Sequence, residues 1–318
     1  MIKEYIKLKK VESSIIEVEN VNEASFGEVV EVKSSASDKP MVGKVVNIND
    51  DTVTIQVFGD SAGMSTENTR VRFSQRPFEI ALSEDILGRK FNGIGQPIDN
   101  GGDIYAAKYY NVNGRAINPV SRVYPRDFIQ TGISSIDCLM TLIRGQKLPV
   151  FSGSGMSHNR LAAQIVRQAK IKGANEDNFA IVFGAIGVKH DEARFFEDTF
   201  RQSGVLNNVC MFVNYADDSI MERIITPRAA LTAAEYLAFE KNYHVLVIIT
   251  DLTSYAEALR EVSSKREEVP SRKGYPGYLY SDLASLYERA GMIKDAEGSV
   301  TLIPIVTMPN DDIAHPIP

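Results

Sequence analysis

The stretch Lys147-Leu148-Pro149-Val150-Phe151-Ser152-Gly153-Ser154-Gly155-Met156-Ser157-His158-Asn159 decides the fold of this chain. A short apolar run enters a glycine-containing loop, and Arg160 to Lys172 then reads as a helix. Strand, glycine loop, helix is the order in which a phosphate loop is built. Downstream, the apolar runs Phe179 to Phe183, Val209 to Val213 and Val245 to Ile249 are separated by helical stretches, among them Asp191 to Gln202 and Pro227 to Lys241. That alternation predicts a buried parallel sheet with right-handed crossovers. The run His244 to Asp251 ends in a carboxylate, where a second nucleotide motif places its magnesium-coordinating acid. Strands often end in aspartate, so Asp251 gains weight only from the glycine loop upstream of it.

A working phosphate loop has glycine, four free positions, then glycine, lysine and serine or threonine. Its glycines let backbone amides approach the phosphates, its lysine neutralises the outer phosphates, and its hydroxyl holds magnesium. In the window Ser152 to Asn159, Ser152 and Ser157 replace the two glycines, His158 stands in the lysine position and Asn159 in the hydroxyl position. A histidine is shorter than a lysine and is no permanent cation. Each charge-assisted hydrogen bond lost is worth roughly 1.5 to 3 kcal/mol, so weak or absent nucleotide binding is expected, without fast hydrolysis. The candidate binding residues are Ser152, Gly153, Ser154, Gly155, Met156, Ser157, His158, Asn159 and Asp251. Two readings stay open for the loop: a plain strand-to-helix joint, or a seat that binds nucleotide without hydrolysing it.

Upstream the periodicity changes. From Ile15 to about Arg76, Ile16-Val18, Val30-Val32, Val45-Ile48, Val53-Ile55-Val57 and Val71-Phe73 repeat with period two between turn-rich pieces such as Asn49-Asp50-Asp51. This predicts a small all-β barrel over residues 1–76, ahead of an α/β nucleotide-binding domain with a parallel sheet over residues 77–318. Gly88, Gly93-Ile94-Gly95-Gln96-Pro97 and Asn100-Gly101-Gly102 read as the connecting loops. The barrel segment balances acids against bases and has no interleaved aromatic stripe, so a structural collar is favoured over an oligonucleotide-binding module.

The composition agrees with two globular domains: 318 residues, 44% hydrophobic and 24% charged. A net charge of -6 provides no basic field for nucleic acid. Cys138 and Cys210 lack metal or redox spacing and read as buried free thiols in a reducing compartment. No metal site is expected. Met1 to Lys10 has no signal-peptide core, and the longest strongly apolar run is Val245 to Ile249, so a chain that is neither secreted nor membrane-spanning is expected.

Longer blocks are more specific than the loop. They are Glu84-Asp85-Ile86-Leu87-Gly88-Arg89, Phe128-Ile129-Gln130-Thr131-Gly132-Ile133-Ser134-Ser135-Ile136-Asp137, Arg144 to Ser152, Glu222 to Thr232, Tyr255-Ala256-Glu257-Ala258-Leu259-Arg260-Glu261 and Tyr275-Pro276-Gly277-Tyr278-Leu279-Tyr280. With these blocks the chain resembles, over essentially its whole length, the non-catalytic B subunit (beta chain) of V-type and A-type rotary ATPases. The family's own loop is degenerate in a similar way, with histidine and asparagine near these positions.

The resemblance implies a RecA-like phosphate-loop domain and a regulatory role in a hexameric ring of alternating catalytic A and non-catalytic B subunits. It implies a cytoplasmic chain, peripheral to the membrane within a membrane-attached complex, partnered also by central and peripheral stalk subunits. No cofactor is required, and Mg-ADP or Mg-ATP is held weakly, if at all, at the A/B interface. Where the catalytic relative has a water-polarising glutamate after a glycine matching Gly187, this chain has Val188 and Lys189. Asp251, Glu288 and Arg289 match positions lining the cleft or subunit face in relatives. The chain stops at Pro318, ahead of the family's helical domain and of the arginine that the B chain lends to its neighbour, so a truncated form that joins a ring poorly is expected. The rival readings are an export ATPase or hexameric helicase, for which a lysine loop is expected, and a nucleotide-independent scaffold.

Overall fold

The computed structural model describes residues 4–6, 8–12, 15–21, 23–35, 40–58, 63–106, 108–114, 117–124, 126–153, 155–171, 178–266 and 268–318. The chain divides into two compact units, Met1–Glu79 with Asp218–Glu222, and Ile80–Asp217 with Arg223–Pro318.

In the first unit, β1 (Glu4–Tyr5), β2 (Leu8–Glu12), β3 (Ile15–Val18), β4 (Glu28–Ser34), β5 (Met41–Asn49), β6 (Thr52–Phe58) and β7 (Thr69–Pro77) form one antiparallel sheet. Its order is β1-β7-β4-β5-β6-β3-β2. The two edge strands are consecutive in the chain, so the sheet curls until its edges nearly meet, which leaves little open edge. Alternate residues fill the interior: Ile16, Val18, Val30, Val32, Val45, Val53, Ile55 and Val71 are fully buried. The period-two pattern from Ile15 onward is therefore the inward face of a barrel. β1 and β2 extend that barrel upstream of Ile15. Their alternation of charged with isolated apolar residues is itself a half-buried strand pattern.

In the second unit the elements run β8 (Glu79–Ala81), β9 (Lys90–Asn92), β10 (Tyr109–Asn111), β11 (Ile129–Gln130), β12 (Val150–Ser152), α1 (His158–Gln168), β13 (Lys170–Ile171), β14 (Phe179–Val188) and α2 (His190–Gln202). They continue with β15 (Val209–Tyr215), α3 (Ile220–Phe239), β16 (His244–Thr250), α4 (Leu252–Lys265), α5 (Leu279–Tyr287), β17 (Gly291–Met292) and β18 (Ser299–Thr307). The main sheet has the order β12-β18-β16-β14-β15-β9, all parallel, with β17 antiparallel against β18. Strands buried on both faces lose the alternation: Phe179–Val188 is apolar throughout, and Ser299–Thr307 is buried along nearly its whole length, with Ser299 and Thr301 inside.

One face of this sheet packs on α1 and α2. Ile181, Phe183 and Ala185 of β14 share a core with Ala162, Ile165 and Val166 of α1 and with Phe196 and Phe200 of α2. The Phe183 ring lies 4.6 Å from that of Phe196 and 5.3 Å from that of Phe200. The alternate residue Gly184 points the other way, where Ala230 of α3 comes within 3.6 Å of the position a Cβ would take. The helices thus cover both faces.

Several expectations change in detail. The helix after the glycine loop stops at Gln168, because Ala169 is extended and Lys170–Ile171 pairs antiparallel with Ile129–Gln130. The helix expected from Pro227 begins at Ile220 and runs through the proline. Its burial is nearly all-round, with Ala229, Ala230, Leu231, Ala233, Ala234, Leu237 and Ala238 inside. Cys210 is buried as expected, but Cys138 is exposed, in the short helical segment Ile136–Met140 whose Leu139 and Met140 also face solvent. Among the described residues no helix is long and apolar enough to cross a membrane, and no metal-binding cluster of histidine, cysteine and carboxylate groups occurs.

Candidate functional site

The glycine loop leaves the end of β12 and enters α1, as its sequence order requires. Ser152, the last residue of β12, is 5% exposed and its carbonyl accepts the Met308 N–H at 2.8 Å. Gly155 has φ +74, a left-handed conformation that glycine adopts without cost. Ser154 lies outside the described residues. Ser157 caps α1 by position, with no hydrogen bond from its side chain to the helix.

The side chains at the two key positions are turned to partners inside the chain. The ring nitrogen Nδ1 of His158 is 3.2 Å from Ser152 Oγ, so the histidine folds back across the loop. Asn159 donates from Nδ2 to Glu192 Oε1 at 3.2 Å, and Glu192 Oε2 accepts the Lys189 N–H at 3.2 Å, tying α1 to the start of α2. The backbone does likewise: the Met156 N–H points at Gly153 O (3.3 Å) and the His158 N–H at Met156 O (3.0 Å). These two amides, which in a phosphate loop would be available to a ligand, are aimed at the loop's own carbonyls.

Asp251 follows β16 and N-caps α4. Its Oδ1 accepts the N–H groups of Thr253 (3.0 Å) and Thr307 (3.2 Å), and its Oδ2 accepts Thr307 Oγ1 at 2.7 Å. Thr307 is also the sheet partner of Ser152, so β18 stands between the loop and Asp251. Two strand spacings put them roughly 10 Å apart. Three hydrogen bonds fix the carboxylate as a structural clasp for this strand end.

Gly187 has φ +64 near the end of β14, and its N–H donates to Asn214 Oδ1 at 3.1 Å. Val188 next to it is buried in the core shared with α1 and α2. The Val188 side chain itself cannot orient a water, and the nearby Glu192 carboxylate is engaged by the Lys189 N–H and Asn159.

Glu288 and Arg289 are not brought to the loop. They precede β17, which pairs with the opening residues of β18, whereas the loop lies beside its last. The separation along β18 is roughly 20 Å. Glu288 is a half-exposed acceptor for Lys147 Nζ (2.6 Å) and Arg122 (2.9 Å), and the first of these holds its carboxyl below the usual range. Arg289 is 3% exposed. It pairs bidentately with Glu235 (2.6 and 2.8 Å) and donates also to Val112 O, Arg228 O and Thr232 Oγ1. Every guanidinium N–H is thus used inside the chain. An open cleft of about 580 Å³ along α4, lined by Arg223, Glu257, Arg260, Glu261 and Glu268, contains none of the expected binding residues.

One group missed in the sequence sits against the loop. A Cβ on Gly153 would lie 2.8 Å from Asp311 Oδ1, so the Asp311 carboxylate rests on the glycine. Asp311 belongs to the short turn Pro309–Asp311 after β18. Taken together, the residues do not fit a magnesium nucleotide: there is no lysine, no serine or threonine after it, and a carboxylate lies beside the loop.

The ATP synthase alpha/beta family, nucleotide-binding domain, matches residues 132–318, and the beta-barrel domain of the same family matches residues 9–75. The chain belongs to the ATP synthase alpha/beta family. Within it, the chain is 61% identical to a V-type ATP synthase beta chain 2 of Clostridium tetani, over 100% of this chain and 69% of that protein. It is 60% identical to a V-type ATP synthase beta chain of Halothermothrix orenii and 56% identical to the B subunit of an A-type ATP synthase from Aeropyrum pernix, over 100% of this chain and 68% of each. The family resemblance and the fold expected from it are thereby shown. These relatives are V-type and A-type ATP synthase subunits, and the export ATPase, helicase and scaffold readings are not favoured.

Proposed function

We propose that this chain is a non-catalytic, regulatory B subunit of a V-type or A-type rotary ATP synthase. It alternates with catalytic A subunits in a ring that couples ATP synthesis or hydrolysis to ion transport, and it joins the membrane only through the complex. The observation that carries the non-catalytic part is the engagement of His158 with Ser152 and of Asn159 with Glu192. A catalytic loop needs a cation and a hydroxyl aimed at phosphate and metal in place of those two side chains. Val188, in the core, supports the same reading from the other side of the site.

The chain's role is then to shape a neighbouring catalytic interface. No cofactor is needed for that, and Mg-ADP or Mg-ATP binds weakly at most. Phosphate release measured on the isolated chain tests the reading. It should stay at the uncatalysed background with magnesium-ATP, and turnover by the chain alone would contradict it.

A further inference from the structure

We propose that the groove between α1 and α2 is a docking surface for an acidic helix of a partner protein, held through Arg160 and Arg167. The inference stands apart from the glycine loop and does not rest on the non-catalytic reading. The two helices lie on one face of the sheet and share the core beneath them. Between their outer faces runs a groove of about 490 Å³, walled by Arg160, Gln164 and Arg167 on α1 and by Phe195, Thr199 and Gln202 on α2. On each wall these residues recur at steps of four and three, so each wall is one stripe of a helix surface. Two such stripes side by side form the seat into which a third helix packs.

The free charge in the groove has one sign. Arg160 and Arg167 are exposed, and among the described residues neither guanidinium has a hydrogen-bond or ion-pair partner. No described carboxylate lines the groove. The acids in the middle of α2 turn to other partners, Glu197 to Lys90 at 3.1 Å and to Arg201 at 2.6 Å, and Asp198 to Arg201 at 3.9 Å. The Thr199 hydroxyl donates to Phe195 O at 2.7 Å, and Gln164 Nε2 donates to Gln168 Oε1 at 3.3 Å. The strongest donors left to a ligand are therefore the two guanidiniums. Seven residues separate them on α1, a rise of roughly 10 Å. Two carboxylates seven residues apart on a helix laid along the groove have the same spacing, so each meets one planar guanidinium. On the opposite wall the Phe195 ring is 40% exposed and offers an apolar contact that an inorganic anion does not use.

The test follows, by fluorescence anisotropy at low salt, the binding of a labelled helical peptide of about 20 residues to the full chain, with two glutamates seven residues apart and leucines between them on the same face. The unchanged chain should bind this peptide, and the same peptide with both glutamates replaced by glutamine should lose most of the signal. Arg160→Gln and Arg167→Gln should each weaken binding about threefold and together about tenfold, with the difference shrinking as salt is added. Arg194→Gln, at an exposed arginine of α2 outside the groove, is the charge control and should stay within about twofold of the unchanged chain. Circular dichroism checks each fold. Absence of binding, equal binding of the glutamine peptide, or a double variant that matches the unchanged chain overturns the proposal. Displacement of the peptide by inorganic phosphate at constant ionic strength would mark a small-anion site and overturn it as well. Each of these outcomes leaves the non-catalytic reading standing.

Discussion

Arg289 shows how a charged residue that lines a cleft by analogy serves the interior instead. Its guanidinium is buried against Glu235, a partner 54 residues away in the chain, so nothing in the local sequence marks the pair. Removing one member of a buried pair leaves the other charge without compensation. Arg289→Ala should therefore destabilise the chain by about 3–5 kcal/mol in denaturant unfolding, and Glu288→Ala, at a half-exposed pair, by less than about 1 kcal/mol. His244 gives a pH dependence. Its Nε2 faces Arg144 at 3.0 Å and its Nδ1 faces Ser299 Oγ at 3.1 Å, while Asp127 and Glu297 are the nearby acids. Burial first, and the Arg144 charge second, lower its pKa below the ordinary 6.5. The unfolded chain then takes up a proton more readily than the folded one, so stability is full above pH 6.5 and declines as pH falls below it. A His244→Gln variant should flatten that limb of the stability profile; an unchanged slope would show that other groups set it. At the loop, the identities of Ser152, His158 and Asn159 were legible, because they stand where a motif demands other residues. That His158 turns back on Ser152, and that Asp311 arrives from the turn after β18, depends on contacts no spacing encodes.

Among the elements, those with a clear period were the legible ones. The barrel strands from Ile15 and the apolar cores of β14, β15 and β16 follow from alternation or continuous apolar runs. β18 was harder to see, since Pro304 interrupts the run Ser299–Thr307 and proline is rare inside a sheet. It nonetheless lies between β12 and β16 and supplies Thr307 to the Asp251 clasp. The N-terminal part of α3 was concealed in the same way, because Pro227 reads as a helix start rather than an interior residue. Packing gives two predictions at this scale. Phe183→Ala empties the centre of the ring cluster with Phe196 and Phe200 and should cost about 3–5 kcal/mol. Gly298→Ala would set a methyl against the Ala238 carbonyl oxygen, a backbone atom rather than the end of a flexible side chain. That overpacking should cost about 1–3 kcal/mol or more, seen as a lower unfolding midpoint, and a neutral outcome would mean the Ala238 turn can shift.

For the whole molecule, the two units read from sequence periodicity correspond to a barrel and a parallel α/β sheet, and the family shows the same pairing of domains. The chain spans 68–69% of the length of the relatives compared with it. Its net charge of -6 gives no attraction to nucleic acid and leaves association to be decided by matched surfaces. Membership of a multi-subunit ATP synthase family was legible only through blocks such as Tyr275 to Tyr280, since a single chain's periodicity carries no information about what it meets. The most direct test of the central claim mixes this chain with a catalytic A subunit from the same source and follows ring formation by native mass spectrometry alongside magnesium-ATP turnover. The account predicts no turnover from this chain by itself, and turnover in any mixed ring in which the A subunit supplies the phosphate loop. Hydrolysis by this chain alone would contradict it.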